Sequence, residues 1–135
     1  MSSRFPVRTL PTKPGRFAYE GLDRALHERA RLGILTALLA CRDGRLFSDL
    51  KQLCGLTDGN LSRHLEVLHR TGVVEIWKGF DRHRPQTLCR LSAEGSRRFV
   101  AYLQELRHVC RDAAPHMARR ARPASPPKGF TGRAR

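Results

Sequence analysis

The chain has 135 residues, 26 basic and 12 acidic, a formal net charge of +14 and a pI near 11.3. That length holds one small domain with a modest core. It contains no apolar run near the ~20 residues of a membrane span, and no apolar stretch behind the N-terminal basic residues of the kind a signal peptide has. The expectation is a soluble, cytoplasmic, nucleoid-associated protein with no membrane partner.

The charge is uneven. Residues 1–18 carry Arg4, Arg8, Lys13 and Arg16 with no acid, and residues 111–135 carry seven basic residues against Asp112. Residues 19–110 hold 15 basic and 11 acidic residues. Two basic tails around a mildly basic domain imply a polyanionic partner, nucleic acid being the simplest. The expected organisation is a flexible basic N-terminal arm (1–18), a folded domain (19–111) and a disordered basic Pro-rich tail (112–135).

In chain order, Pro6, Pro11, Pro14 and Gly15 keep the arm irregular. Leu22, Leu26, Ala30, Ile34, Ala37, Leu38 and Cys41 recur at helical steps, which predicts a long first helix over Gly21–Cys41. Arg42 to Arg45 is a turn, and Leu46-Phe47 a short extended piece. Ser48 is read as capping a short helix, Asp49 to Cys54, with Leu50 and Leu53 inward. Gly55 ends it, because glycine takes the left-handed conformation without steric cost. Thr57 caps the next helix, where Leu61, Leu65 and Leu68 form the apolar stripe and Gly72 ends the run. Short helix, glycine turn and second helix make a helix-turn-helix.

Thr57, Asp58, Asn60, Ser62 and Arg63 place donors and acceptors near the N-terminal end of that second helix, as reading of base edges requires. Gly59, Arg63, Glu66 and Arg70 face away from the stripe. The same pattern also suits an ordinary amphipathic helix with a polar solvent face, and the segment that follows decides against it. His64, beside Leu61 and Leu65, has two readings: a donor to phosphate, or a half-buried structural histidine.

Residues 73–78 are strand formers, 79–85 a loop and 86–91 a returning strand. A hairpin directly after a helix-turn-helix is a wing. Lys78 at its base and Arg82, His83 and Arg84 in its loop suit phosphates or a minor groove. Ser92 caps a last helix to about Arg111, with Phe99, Tyr102, Leu103, Leu106, Val109 and Cys110 in a stripe. The fold class is mainly α with a small β-hairpin: a winged helix-turn-helix with long N- and C-terminal helices. Those helices hold more apolar surface than a small core covers. This predicts a homodimer through Leu22, Leu26, Phe99, Tyr102, Leu103, Leu106 and Cys110.

The runs LTDGNLSRHLEVLHRTGVVEIWKGF and RHRPQTLCRLSAEG resemble the winged-helix regulators of the MarR/ArsR-like superfamily, and more narrowly the small bacterial MarR-like winged-helix family. The likeness covers roughly residues 21–110. It implies double-stranded DNA binding, homodimerisation through the terminal helices, and repression or activation at a palindromic operator. It assigns reading to Thr57, Asp58, Asn60, Ser62 and Arg63, and the wing to Lys78, Arg82 and Arg84. His69 and Arg70 stand where acids are common, Val74 where tyrosine is usual, and Cys89 replaces a tyrosine of the return strand. Room for a small-molecule effector between the terminal helices is left open, with no residue signature to name it.

Metal-sensing relatives of that superfamily use paired cysteines. Here Cys41, Cys54, Cys89 and Cys110 show no CxxC or CxC spacing and no matching histidine interval, so no metal and no cofactor is expected. Thiol-redox sensing is the lesser alternative. No Gly-rich phosphate loop, Ser/His/Asp phrase or HExxH occurs, so no enzyme is expected. The stronger alternative is an RNA- or ribosome-associated, or architectural, winged-helix module. An RNA binder should expose aromatics for stacking; Trp77 and Phe80 are the nearby ones, and both read as core or wing supports.

Overall fold

A computed structural model describes residues 13–121 and 125–130. It contains helix α1 (Arg29–Leu39), strand β1 (Arg45–Leu46), helices α2 (Phe47–Cys54) and α3 (Asp58–Arg70), strands β2 (Val74–Asp81) and β3 (Arg84–Leu91), helix α4 (Ala93–Met117) and a short 3-10 turn, Ala118–Ala121. The chain divides into two units, Glu20–Leu106 and a second made of Met1–Tyr19 with Arg107–Arg135.

The first unit is the winged helix-turn-helix. Its core joins Leu26, Ile34, Leu35 and Leu38 to Leu50 of α2, to Leu61, Leu65 and Leu68 of α3, and to Val73, Val74, Cys89 and Leu91 at the sheet. Phe99 and Tyr102 of α4 close it.

The first helix is shorter than Gly21–Cys41. Asp23 takes the backbone N–H of Ala25 on its side chain (2.9 Å), and Glu28 takes those of Ala30 and Arg31 (3.1 and 3.0 Å). Acidic side chains that compete for backbone donors stop a helix from running through them. Glu28, at φ −152°, is therefore the N-cap of α1. Leu26 still reaches the core from the turn before it. At the other end Arg45 Nε donates to the Ala37 carbonyl at 2.7 Å. Cys41 lies beyond the helix, with its thiol against the Gly44 carbonyl at 3.2 Å.

Helix α2 begins at Phe47, one residue before the expected Ser48 cap. Its N-cap is Leu46, with no side-chain capping bond. Leu50 is buried, but Leu53 is 61% exposed, contrary to expectation. Leu50 and Cys54 share the inner face at i, i+4, so the half-buried Cys54 takes the place assigned to Leu53. Gly55 at φ 63°, ψ 40° supplies the left-handed turn. Thr57 caps α3 as expected, its hydroxyl accepting from the Asn60 N–H at 3.2 Å.

The sheet has three strands in the order β1-β3-β2, not a hairpin alone. Arg45 and Leu46 pair with Cys89 and Leu88. Strands β2 and β3 pair from Val74–Leu91 out to Asp81–Arg84. The expected seven-residue loop is thus a two-residue turn, Arg82-His83, and Arg84 belongs to a strand. Both turn residues have positive φ, 49° and 68°, as a type I′ hairpin requires. Pro85 is tolerated because β1 reaches only Leu88 and Cys89, which leaves that side of β3 open.

Ser92 joins sheet to last helix. Its hydroxyl donates to the Gly72 carbonyl (2.6 Å) and accepts from the Gly95 N–H (2.8 Å). Arg98 of α4 holds Asp23 through Nε and Nη2 (3.1 and 2.8 Å) and the Thr71 carbonyl through Nη1 (3.0 Å). One guanidinium thus ties the segment before α1 and the end of α3 to α4.

Three of the residues assigned to a dimer face serve this core instead: Leu26, Phe99 and Tyr102 are fully buried in their own chain. Leu22, Leu103 and Leu106 are partly buried against it, and Cys110 is exposed.

In the second unit, Arg16 forms two parallel bonds to Asp112 (2.8 and 2.9 Å), and the Tyr19 hydroxyl donates to the same carboxylate at 2.7 Å. The Arg16 and Tyr19 hydrogen bonds hold the Asp112 carboxyl well below the usual carboxylate range. The expected disordered tail is helical through Ala121, past Pro115. The remaining expectations for the arm (1–12) and the tail (122–124 and 131–135) lie outside the described residues.

Candidate nucleic-acid interface

The outer side of α3 is polar and open. Thr57, Asp58, Asn60, Ser62 and Arg63 are all exposed, as are Glu66 and Arg70. Arg63 Nη2 donates to the Asn60 side-chain oxygen at 3.3 Å, one turn back. Lys51 of α2 holds Asp58 at 3.1 Å. The Lys51 ammonium offsets the Asp58 charge at the end of α3 where an incoming phosphate would sit.

His64 does not belong to this row. It is buried, and Arg31 Nε lies 3.4 Å from its Nδ1. Glu28 Oε2 lies 3.6 Å from the same nitrogen. One nitrogen cannot accept from Arg31 and donate to Glu28 at once. Arg31 Nε points at it, so Nδ1 is the acceptor and the proton sits on Nε2, an assignment from hydrogen-bond geometry. Burial raises the Glu28 carboxyl, but its backbone hydrogen bonds from Ala30 and Arg31, with the Arg31 guanidinium nearby, outweigh burial and leave it lowered. The burial of His64 and its Arg31 partner fit the structural reading of this residue.

Helix α3 and the wing enclose an open groove of about 550 Å³. Ser62, Glu66 and His69 line it from α3, and Ile76, Lys78 and Thr87 from the wing. Ser62 and Lys78, far apart in sequence, are thus brought to one cleft. Arg82, His83 and Arg84 stand exposed farther out at the wing tip.

The two wing aromatics are not core residues. Trp77 lies under the Arg90 guanidinium at 4.6 Å. Phe80 is 79% exposed, which sequence reading missed. Its alternation with Lys78 is the signal in the sequence, and it counts only because the strand runs on through Asp81 in place of a loop over 79–85.

Burial pushes the Cys89 thiol up to about 11 and also raises that of Cys54. Among the described residues no three His, Cys, Asp or Glu side chains are grouped to hold a metal. No helix among them is long and apolar enough to cross a membrane.

A helix-turn-helix whose second helix presents a polar face beside a basic two-stranded wing is a winged-helix nucleic-acid-binding domain. The profile of the family described as "Winged helix DNA-binding domain" matches residues 30–110, and the chain belongs to that family. An uncharacterized protein of Methanocaldococcus jannaschii is 35% identical over 75 residues, 56% of this chain and 77% of that one. The solved structure of a transcriptional regulator homologue from Pyrococcus horikoshii OT3 matches with a TM-score of 0.63 at 32% identity, over 67% of this chain and 88% of that one. A MarR-family transcriptional regulator from Rhodococcus sp. RHA1 shares the fold with a TM-score of 0.51 at 18% identity, over 80% of this chain and 83% of that one. The winged-helix resemblance is borne out over residues 30–110, and the likeness to the MarR-family regulator is one of fold.

Proposed function

We propose that this protein is a cytoplasmic transcription regulator that binds double-stranded DNA sequence-specifically as a homodimer and catalyses no reaction. The carrying observation is the exposed row Thr57, Asn60, Ser62 and Arg63 on α3, flanked by the basic wing. Each protomer lays α3 in a major groove and sets the wing on the flanking backbone or minor groove. Two copies space their α3 helices by one DNA turn, about 34 Å, so the site is a rough palindrome. The basic tails add salt-dependent, sequence-independent affinity.

With Leu26, Phe99 and Tyr102 buried in their own chain, the dimer face rests on Leu22, Leu103, Leu106 and Cys110. Exposed Val100 of α4 adds apolar surface to it.

The second reading is an RNA-associated module. Exposed Phe80 favours it, since single-stranded bases stack on such rings. Selection from a random duplex pool at two salt concentrations, with a structured RNA competitor, separates the two. One palindromic motif that survives higher salt supports the regulator. Binding that salt erases, with no motif, or preference for the RNA, overturns it.

A further inference from the structure

We propose that Phe80 is a wedge: with α3 in a major groove, the wing drives the Phe80 ring, backed by Pro85, between two base steps of the neighbouring minor groove and opens their stacking. The inference rests on the duplex-DNA reading of α3 and deepens it.

Phe80 is the most exposed large hydrophobic side chain among the described residues. Water is a poor environment for a phenyl ring, and a ring held there at the end of a stiff element has a surface to meet. The pleat puts Ile76, Lys78 and Phe80 on one face of β2. Ile76 packs against the core, and Lys78 lines the groove shared with α3. Phe80 is therefore the next position outward on the side of the wing that faces α3. Pro85 sits opposite it in register, so the two apolar groups form one blunt edge. Trp77 is on the other face of the strand, stacked with Arg90, and takes no part.

The surroundings select the occupant. Lys78, Arg82, His83 and Arg84 are exposed near the ring in the wing, with the acid Asp81 among them. A protein-binding patch clears lysine and other charge from its centre. Cations on both sides of an apolar wedge instead match a groove walled by two rows of phosphates. Phe and Pro are among the side chains that unstack base steps there. Pairing continues without a break to Asp81–Arg84, and the turn is only two residues long, so the ring is carried on a short, fully laddered hairpin.

The test uses the full chain and a duplex carrying the selected site, with 2-aminopurine placed at successive steps flanking each half-site. The unaltered protein is expected to raise the fluorescence several-fold at one flanking step on each side. Phe80→Ala should lose that rise and bind roughly tenfold more weakly, with the preferred half-site unchanged. Phe80→Leu keeps an apolar wedge and should retain most of both. Thermal melting checks that each variant is folded. Specific binding with no rise at any flanking step overturns the wedge and leaves the reading by α3 intact. So does a Phe80→Ala protein with unchanged fluorescence and affinity. A Phe80→Ala protein that keeps duplex binding but loses single-stranded RNA binding assigns the ring to base stacking on RNA instead. If the unaltered protein binds no duplex, both readings fail together.

Discussion

The backbone carbonyl of Val73 occupies the space a side chain would need at Gly95. A Cβ built on Gly95 would overlap the carbonyl oxygen and lie 2.7 Å from its carbon. The contact sets how close the first turn of α4 comes to the end of α3, and the Ser92 hydroxyl bonds the same corner from both sides. Gly95→Ala should therefore force the helix off the sheet, and the obstacle is backbone, which cannot rotate away. The expected loss is on the order of 2–3 kcal/mol, the upper part of the usual overpacking range. Urea unfolding measures it, and an unchanged midpoint would show that α4 is not held this tightly.

That corner also shows how the sequence could and could not be read. LSAEG marks the entry to the last helix, but nothing in those letters says that the glycine answers a carbonyl 22 residues earlier. The capping of α3 by Thr57 was legible because cap and helix are local. The start of α1 was not: the apolar steps through Leu22 and Leu26 are real, and both side chains do pack inward, but Asp23 and Glu28 divert the backbone donors a helix needs. The third strand was legible only as a short extended piece at Leu46-Phe47, because residues 45 and 46 become a strand only by pairing with β3. His64 was ambiguous at the edge of the stripe, and its placement depends on Arg31, which is 33 residues away. The exposed polar row on α3 was legible, since solvent-facing positions follow from helical period alone.

Cys89 is fully buried, and its thiol is pushed up to about 11 from an ordinary 9.0. Between those values the unfolded chain gives up the thiol proton while the folded chain keeps it. The folded state then binds more protons, so stability is full below pH 9 and falls as pH rises toward 11. Cys54 and Tyr102, also raised by burial, act in the same direction. Cys89→Ala should flatten the alkaline decline by up to about 1.4 kcal/mol per pH unit within that window. Parallel declines for the two proteins in urea titrations from pH 8 to 11 would remove Cys89 as a contributor.

The wing turn places Arg82 and His83 at positive φ, where residues with a Cβ are strained by roughly 1–3 kcal/mol each. Asn-Gly is the unstrained pair for such a turn. The double change Arg82→Asn, His83→Gly should raise the melting temperature. It should also weaken DNA binding and lower the salt dependence, because a cation leaves the wing tip. A gain in stability with unchanged affinity would mean that the tip touches no phosphate.

Arg63 separates base reading from phosphate contact. Its guanidinium leans back on the Asn60 side-chain oxygen at 3.3 Å, so the pair presents donors along the exposed side of α3 in a partly fixed arrangement. Truncation removes the Arg63 donors and frees Asn60 to rotate. If the pair reads base edges, Arg63→Ala should weaken binding to the selected site by about 1–3 kcal/mol and relax preference at one position of each half-site. Binding to unrelated duplexes should change much less. Deleting residues 118–135 should do the reverse: affinity for every sequence falls together and the salt slope flattens. The deletion starts after Met117 because Asp112 must stay to hold Arg16 and Tyr19. Titrations on both duplexes at two salt concentrations compare the variants directly. If Arg63→Ala loses the same factor on all sequences, Arg63 holds phosphate, and sequence selection has to come from Asn60, Ser62 or the wing.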